Sequence, residues 1–112
     1  MKTGAGTIGA WQTITLAGQL TIKNLTLVRR YLERAEENPF PGVMIDMAEV
    51  TQLDSSGITL LVNFQKRISQ RGGTVVIAGL TSDIAEIFSI VGIDRLFQLC
   101  GSRDEFIRQF CI

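Results

Sequence analysis

The sequence predicts a single α/β domain with a mainly parallel sheet of about four to five strands and about four helices. Three observations predict it. Short β-branched runs alternate with stretches of helical period, in the order β-α-β-α-β-α-β-α. Two of the runs, Val43-Met44-Ile45-Asp46-Met47 and Thr74-Val75-Val76-Ile77-Ala78, are apolar nearly throughout, as strands covered on both faces are. Breakers separate the elements, most plainly Asn38-Pro39-Phe40-Pro41-Gly42 and Gly72-Gly73. At 112 residues, 46% of them hydrophobic, the chain is one domain by size and can bury a core without staples.

Residues 1–9 form a glycine-rich segment expected to be an edge strand or loose, ahead of a domain at 10–112. Gly4-Ala5-Gly6-Thr7-Ile8-Gly9 matches G-x-G-x-x-G formally. A dinucleotide site needs a strand before that motif and a helix after it. Here three residues precede it and a strand pattern follows, so it is read as backbone. Trp11, Thr13 and Thr15 alternate with Gln12, Ile14 and Leu16, predicting a strand over 10–17 and a turn at Gly18-Gln19-Leu20-Thr21. Leu25, Val28, Leu32 and Ala35 step by three and four, predicting a helix over 23–37. Its Arg29, Arg30, Glu33, Arg34 and Glu36 read as a solvated face.

After the strand at 43–47, Leu61, Phe64 and Ile68 recur at helical spacing on a helix beginning near Ser56 and ending at Gly72-Gly73. A strand follows at 74–78. Asp83 and Glu86, with Ser82 as a rival cap, open a helix carrying Ile84, Ile87, Phe88 and Val91 on one stripe. A short strand is expected at 96–99. Ser102 and Glu105 make a capping box for a last helix whose Phe106, Ile107 and Phe110 seal the core. Phe88, Phe97, Phe106 and Phe110 are read as packing residues.

Composition removes several classes of function. Eleven basic and eleven acidic residues leave the chain formally neutral, against nucleic acid as a partner. No apolar run approaches the ~20 residues of a membrane-spanning helix, and the start lacks the apolar stretch of a signal peptide. Cys100 and Cys111 make no Cys-x-x-Cys pair, so free thiols and a cytoplasmic location are expected. No histidine occurs, which removes histidine-based triads and the commonest metal ligand. No metal, cofactor or catalytic residue is assigned.

The stretch with chemistry in it is Asp54-Ser55-Ser56-Gly57, where a helix begins. One reading is an N-cap and nothing more, since the first backbone N–H groups need acceptors. The other is a hydroxyl placed for modification, since the positive end of a helix accommodates a phosphate. A third, a serine nucleophile, lacks a base: there is no histidine, and Lys2, Lys23 and Lys66 show no motif spacing.

The run Val43-Met44-Ile45-Asp46-Met47-Ala48-Glu49-Val50-Thr51-Gln52-Leu53-Asp54-Ser55-Ser56-Gly57-Ile58 resembles the signature of the STAS family, which includes bacterial anti-sigma-factor antagonists. The resemblance extends over nearly all of the chain, weakest in the first ten residues. It implies a STAS-like domain in which Ser55, the first serine after the aspartate, is the phosphoacceptor. Asp54, Ser56, Gly57, Ile58 and Thr21 would form the partner interface, with Gly57 bare so that a partner can approach closely. The implied partner is an anti-sigma-factor serine kinase of the histidine-kinase-like ATPase type, sequestered by the unphosphorylated protein, with a phosphatase to reset the switch. A STAS subunit of a lipid-transport ATPase complex is the alternative. Family members carry Gly-Glu-Leu-Asp where this chain has Gly18-Gln19-Leu20-Thr21, so two acidic groups are absent from the implied surface.

Overall fold

The structure, a computed structural model, describes residues 2–111; Met1, at the head of the glycine-rich segment, and Ile112 lie outside the described residues. Five strands stand side by side in chain order: β1 (Lys2–Ile8), β2 (Trp11–Leu20), β3 (Gly42–Leu53), β4 (Thr74–Ala78) and β5 (Gln98–Cys100). β1 pairs antiparallel with β2 from Lys2↔Ala17 to Ile8↔Trp11, and every other neighbour is parallel. Four helices connect or follow the parallel strands: α1 (Leu25–Glu37), α2 (Ser55–Gln70), α3 (Ser82–Ile90) and α4 (Arg103–Phe110).

The period of two along the strands divides the core into two layers. Ile14, Leu16, Val43, Ile45, Met47, Val75 and Ile77 face the larger layer, closed by Val28 and Leu32 of α1, Leu61, Phe64 and Ile68 of α2, and Ile84 and Phe88 of α3. Met44, Val76, Ala78 and Cys100 face the other side, under Phe106 of α4, with Trp11 and Phe110 packed at its margin. The Trp11 and Phe106 rings meet edge to face at 5.1 Å.

Several expectations need correction. β2 runs on to Leu20 and β3 to Leu53, beyond the predicted ends at 17 and 47. The segment 48–53 is therefore strand: Gly18 pairs with Val50, and Gln19 with Gln52. Register shifts between Thr15 and Ala17 and between Gly18 and Gln19 insert extra β3 residues, which break the alternation by which a strand is recognised. The turn into α1 falls after Leu20, closed by Asn24 N–H to Thr21 C=O at 2.9 Å. α1 starts at Leu25 rather than 23, after a turn in which the Asn24 side-chain amide donates to Gln19 C=O (2.8 Å). Thr81 caps α3, its hydroxyl accepting from Ile84 N–H at 3.3 Å, in place of Ser82 or Asp83. Val91 lies past the end of α3 and is 48% exposed, so it leaves the buried stripe. β5 sits at 98–100 rather than 96–99. At α4 the Ser102 hydroxyl accepts from Glu105 N–H (3.1 Å), while the Glu105 carboxylate reaches back to Gly101 N–H (3.1 Å).

Candidate functional site

The C-terminal ends of β2 and β3 and the first turns of α1 and α2 meet at one edge of the sheet. Asp54 is the hinge of this meeting. Its backbone is extended (φ −110°, ψ 179°), which places its carboxylate over the start of α2. Oδ1 accepts from Gly57 N–H and Oδ2 from Ile22 N–H, each at 3.0 Å. The Asp54 N–H donates to Leu20 C=O (3.3 Å), and its own C=O receives Ile58 N–H (3.0 Å). One side chain thus caps α2 and pins the β2–α1 turn to it. Accepting from Gly57 N–H, and next from Ile22 N–H, holds the Asp54 carboxyl below its ordinary value of 3.8, against a smaller upward effect of desolvation.

With Asp54 as the cap, Ser55 is the first residue of α2, one position earlier than the predicted start. It is exposed even so, and its C=O accepts from the Thr59 hydroxyl at 2.9 Å. Ser56 is half-buried. Ile58 is half-buried and packs on the larger core layer. Thr21 is half-buried too, and its hydroxyl oxygen is enclosed without a hydrogen-bond partner. It faces a hollow of about 360 Å³ shared with Asp54, Leu53 and Ile84.

Gly57 is buried, and a Cβ there would lie 2.4 Å from Leu20 O, 2.9 Å from Leu20 Cγ and 3.0 Å from Leu53 Cδ1. Its bareness lets α2 approach the end of β2 closely.

From Ser55 a groove of about 830 Å³ runs between α1 and α2. Because β2 and β3 are parallel, the helices that follow them start at the same edge and run the same way. Ser55, Ser56 and Thr59 line the groove from α2, Leu25 and Arg29 from α1. Farther along, Arg67 is paired with Glu36 across it. Two residues at this edge escaped the reading of the sequence. Arg29 looked like one charge among many on a solvated face. Ile22, 67% exposed beside Asp54, was signalled only by an isoleucine standing in a polar turn.

The molecule is a small α/β domain in which the Asp54-capped start of α2 presents Ser55 at the C-terminal end of the parallel strands. The chain belongs to the STAS domain family, whose model matches residues 6–106. It is 27% identical over 86 residues to the anti-sigma-B factor antagonist of Listeria monocytogenes, covering 77% of this chain and 75% of that protein. A putative anti-sigma factor antagonist from Thermotoga maritima superposes with a TM-score of 0.88 at 16% identity, over 98% of this chain and 95% of that one. The Bacillus cell fate determinant SpoIIAA in its phosphorylated form superposes at 0.75 and 14% identity, over 96% and 98%. At these identities the structures share the fold. No described helix is long and apolar enough to cross a membrane.

Proposed function

We propose that the protein is an anti-sigma-factor antagonist that acts by partner switching, with Ser55 as its phosphoacceptor. The observation that carries this reading is an exposed serine hydroxyl at the first position of a long helix, directly after a fully engaged aspartate. Unphosphorylated protein binds and sequesters an anti-sigma-factor serine kinase of the histidine-kinase-like ATPase type. The kinase transfers the terminal phosphoryl group of ATP: the Ser55 Oγ–P bond forms, the bond to ADP breaks, and the hydroxyl proton leaves to a base. That base is assigned to the kinase, since the carboxylate beside Ser55, that of Asp54, is already engaged by Gly57 N–H and Ile22 N–H. A phosphatase returns the serine.

The physics of release is charge. A phosphate adds about −1.5 to −2 charges at neutral pH. It stands next to Asp54, which is ionised at neutral pH. In an interface both would need desolvation, which is costly without a counter-ion. The surface is formed by Asp54, Ser55, Ser56 and the exposed parts of Thr21 and Ile58, with Ile22 as an apolar anchor beside them. The relatives named above support the reading: one is an anti-sigma-B factor antagonist, and another has been solved in a phosphorylated form.

The test is retention of partners from the native cytoplasm by the Ser55→Ala protein, then phosphopeptide mapping after incubation of the parent with the retained kinase and ATP. Ser55→Ala is expected to bind, since it loses at most a hydrogen bond worth ~0.5–1.5 kcal/mol. Ser55→Asp is expected to bind less tightly, and Ser56→Ala to remain a substrate. Modification mapped to Ser56, or a phosphorylated form that binds as tightly as the unmodified one, would refute the switch. Retention of a transporter ATPase in place of a kinase would select the lipid-transport reading.

A further inference from the structure

We propose that Arg29 is the built-in receptor for a phosphoryl group on Ser55, pairing with it across the groove between α1 and α2. The inference rests on Ser55 as phosphoacceptor and adds what the modified domain does next.

A phosphate at the start of a helix ordinarily takes its donors from the first-turn N–H groups. Here two of the donors at the helix start are already engaged: Asp54 N–H donates to Leu20 C=O and Gly57 N–H to the Asp54 carboxylate. Asp54 is itself an anion adjoining Ser55. The macrodipole of α2 is therefore already answered by one negative charge, and a second has to find a cation elsewhere.

Three basic residues are near enough in the fold to consider. Arg67 lines the same groove, but Glu36 holds it at the far end. Lys23 lies in the β2–α1 turn and takes no part in lining the groove. Arg29 lines the groove one turn into α1, and Ser55 and Thr59 from the first turns of α2 line the same groove, as do Glu33, Glu36 and Glu37 of α1. Among the described residues the ion pairs are Arg67–Glu36 and Arg103–Asp46, so no carboxylate holds Arg29. Glu33, four residues on, is not within ion-pair distance of it. An exposed guanidinium across an open groove from the hydroxyl is suited to the task, because its planar fork meets phosphate oxygens two at a time.

The pairing would tie α1 to α2 where the groove is now open, changing the shape of the surface as well as its charge. Dephosphorylation would reopen it. The relief of Asp54–phosphate repulsion by Arg29 also makes the phosphorylated domain stable in isolation, so that the penalty falls on the complex alone.

The test uses the full chain with phosphoserine introduced at position 55 during synthesis, which needs no kinase. Phosphorus NMR follows the phosphate through its second ionisation, ordinarily near pH 6. Arg29→Gln is expected to raise that midpoint by about half a pH unit or more, roughly threefold in proton affinity, as loss of a partner cation does. Lys23→Gln is expected to leave it in place, and Arg29→Lys to give an intermediate value. Circular dichroism checks that each variant is folded, as the exposure of Arg29 on α1 leads one to expect. Equal midpoints in the parent and Arg29→Gln, or a larger rise with Lys23→Gln, would overturn the pairing. If instead the kinase modifies another residue, the phosphoacceptor reading fails, while this titration still decides Arg29 by itself.

Discussion

Replacing Gly57 by alanine separates two meanings of one glycine. If the position exists for a partner's approach, Gly57→Ala leaves the fold alone and weakens binding. If it exists for packing, the fold suffers first. The added Cβ would sit 2.4 Å from Leu20 O, where ordinary contact begins near 3.4 Å. The obstacle is a backbone atom, so no rotamer change relieves it. α2 would have to withdraw from the end of β2 by roughly 1 Å, and dispersion contacts decline steeply over such a gap. Withdrawal also strains the Asp54 N–H to Leu20 C=O bond and the carboxylate bridge from Ile22 to Gly57.

Overpacking of this kind costs about 1–3 kcal/mol. Alanine's better helix propensity returns at most ~1 kcal/mol, and less in the first turn, where few helical bonds depend on it. The net loss is about 1–2 kcal/mol. With a urea m-value of ~1–3 kcal/mol/M for a small domain, the unfolding midpoint should fall by about 0.3–2 M at unchanged m. Urea titration followed by circular dichroism reads this directly. A midpoint equal to or above that of the parent would refute the packing account and return Gly57 to the interface.

Three further outcomes are expected. Leu61→Ala, at a fully buried site of α2, should cost about 2–5 kcal/mol, while Gln65→Ala should stay within ~0.5 kcal/mol, both read by denaturant titration. Because the native Asp54 carboxyl is held below its ordinary 3.8, its ionised form adds stability above that pH and loses it as pH falls through the lowered native value. Asp54→Asn should therefore remove part of the acid-side slope in a plot of stability against pH, and an unchanged slope would contradict the cap's charge. Deleting residues 2–8 strips β1 from the edge of β2, so the truncated chain should be less stable and self-associate at a sheet edge, visible by light scattering.

The elements legible in the sequence were those that keep one period. α2 shows Leu61, Phe64 and Ile68 at helical spacing, and all three are buried where that spacing puts them. β4 is a bare apolar run between breakers, and its ends fall as read. β3 beyond Met47 was not legible, because its two register shifts put Ala48 and Glu49 out in succession before Val50 returns to the core. Such a segment has a loop's composition, and only its neighbour β2 makes it a strand. Thr81, Ser82 and Asp83 are all competent caps in a row, and local sequence does not choose among them; the structure uses Thr81, with Ile84 and Phe88 buried. Gln12 is buried in an otherwise ordinary strand because its amide donates to Ala35 C=O at 2.9 Å and its oxygen receives the Asn38 amide at 2.9 Å. Neither partner can be named from local sequence.

The site shows the same division. Asp54 and Ser55 announce themselves, since capping is a local matter of neighbouring residues. What gives the site its surroundings is remote in sequence and close in space: Ile22 from the β2–α1 turn, Leu20 behind Gly57, and Arg29 across the groove. All three come from the run that joins the end of β2 to the first turns of α1, which the parallel pairing of β2 with β3 brings alongside the start of α2. A change of charge at Ser55 therefore acts on a seam between two helices that are clasped at one end by Asp54 and Ile22 N–H, and at the other by Arg67 and Glu36. Between those clasps the seam is open, and the pairing proposed for Arg29 and a phosphate on Ser55 would close it there.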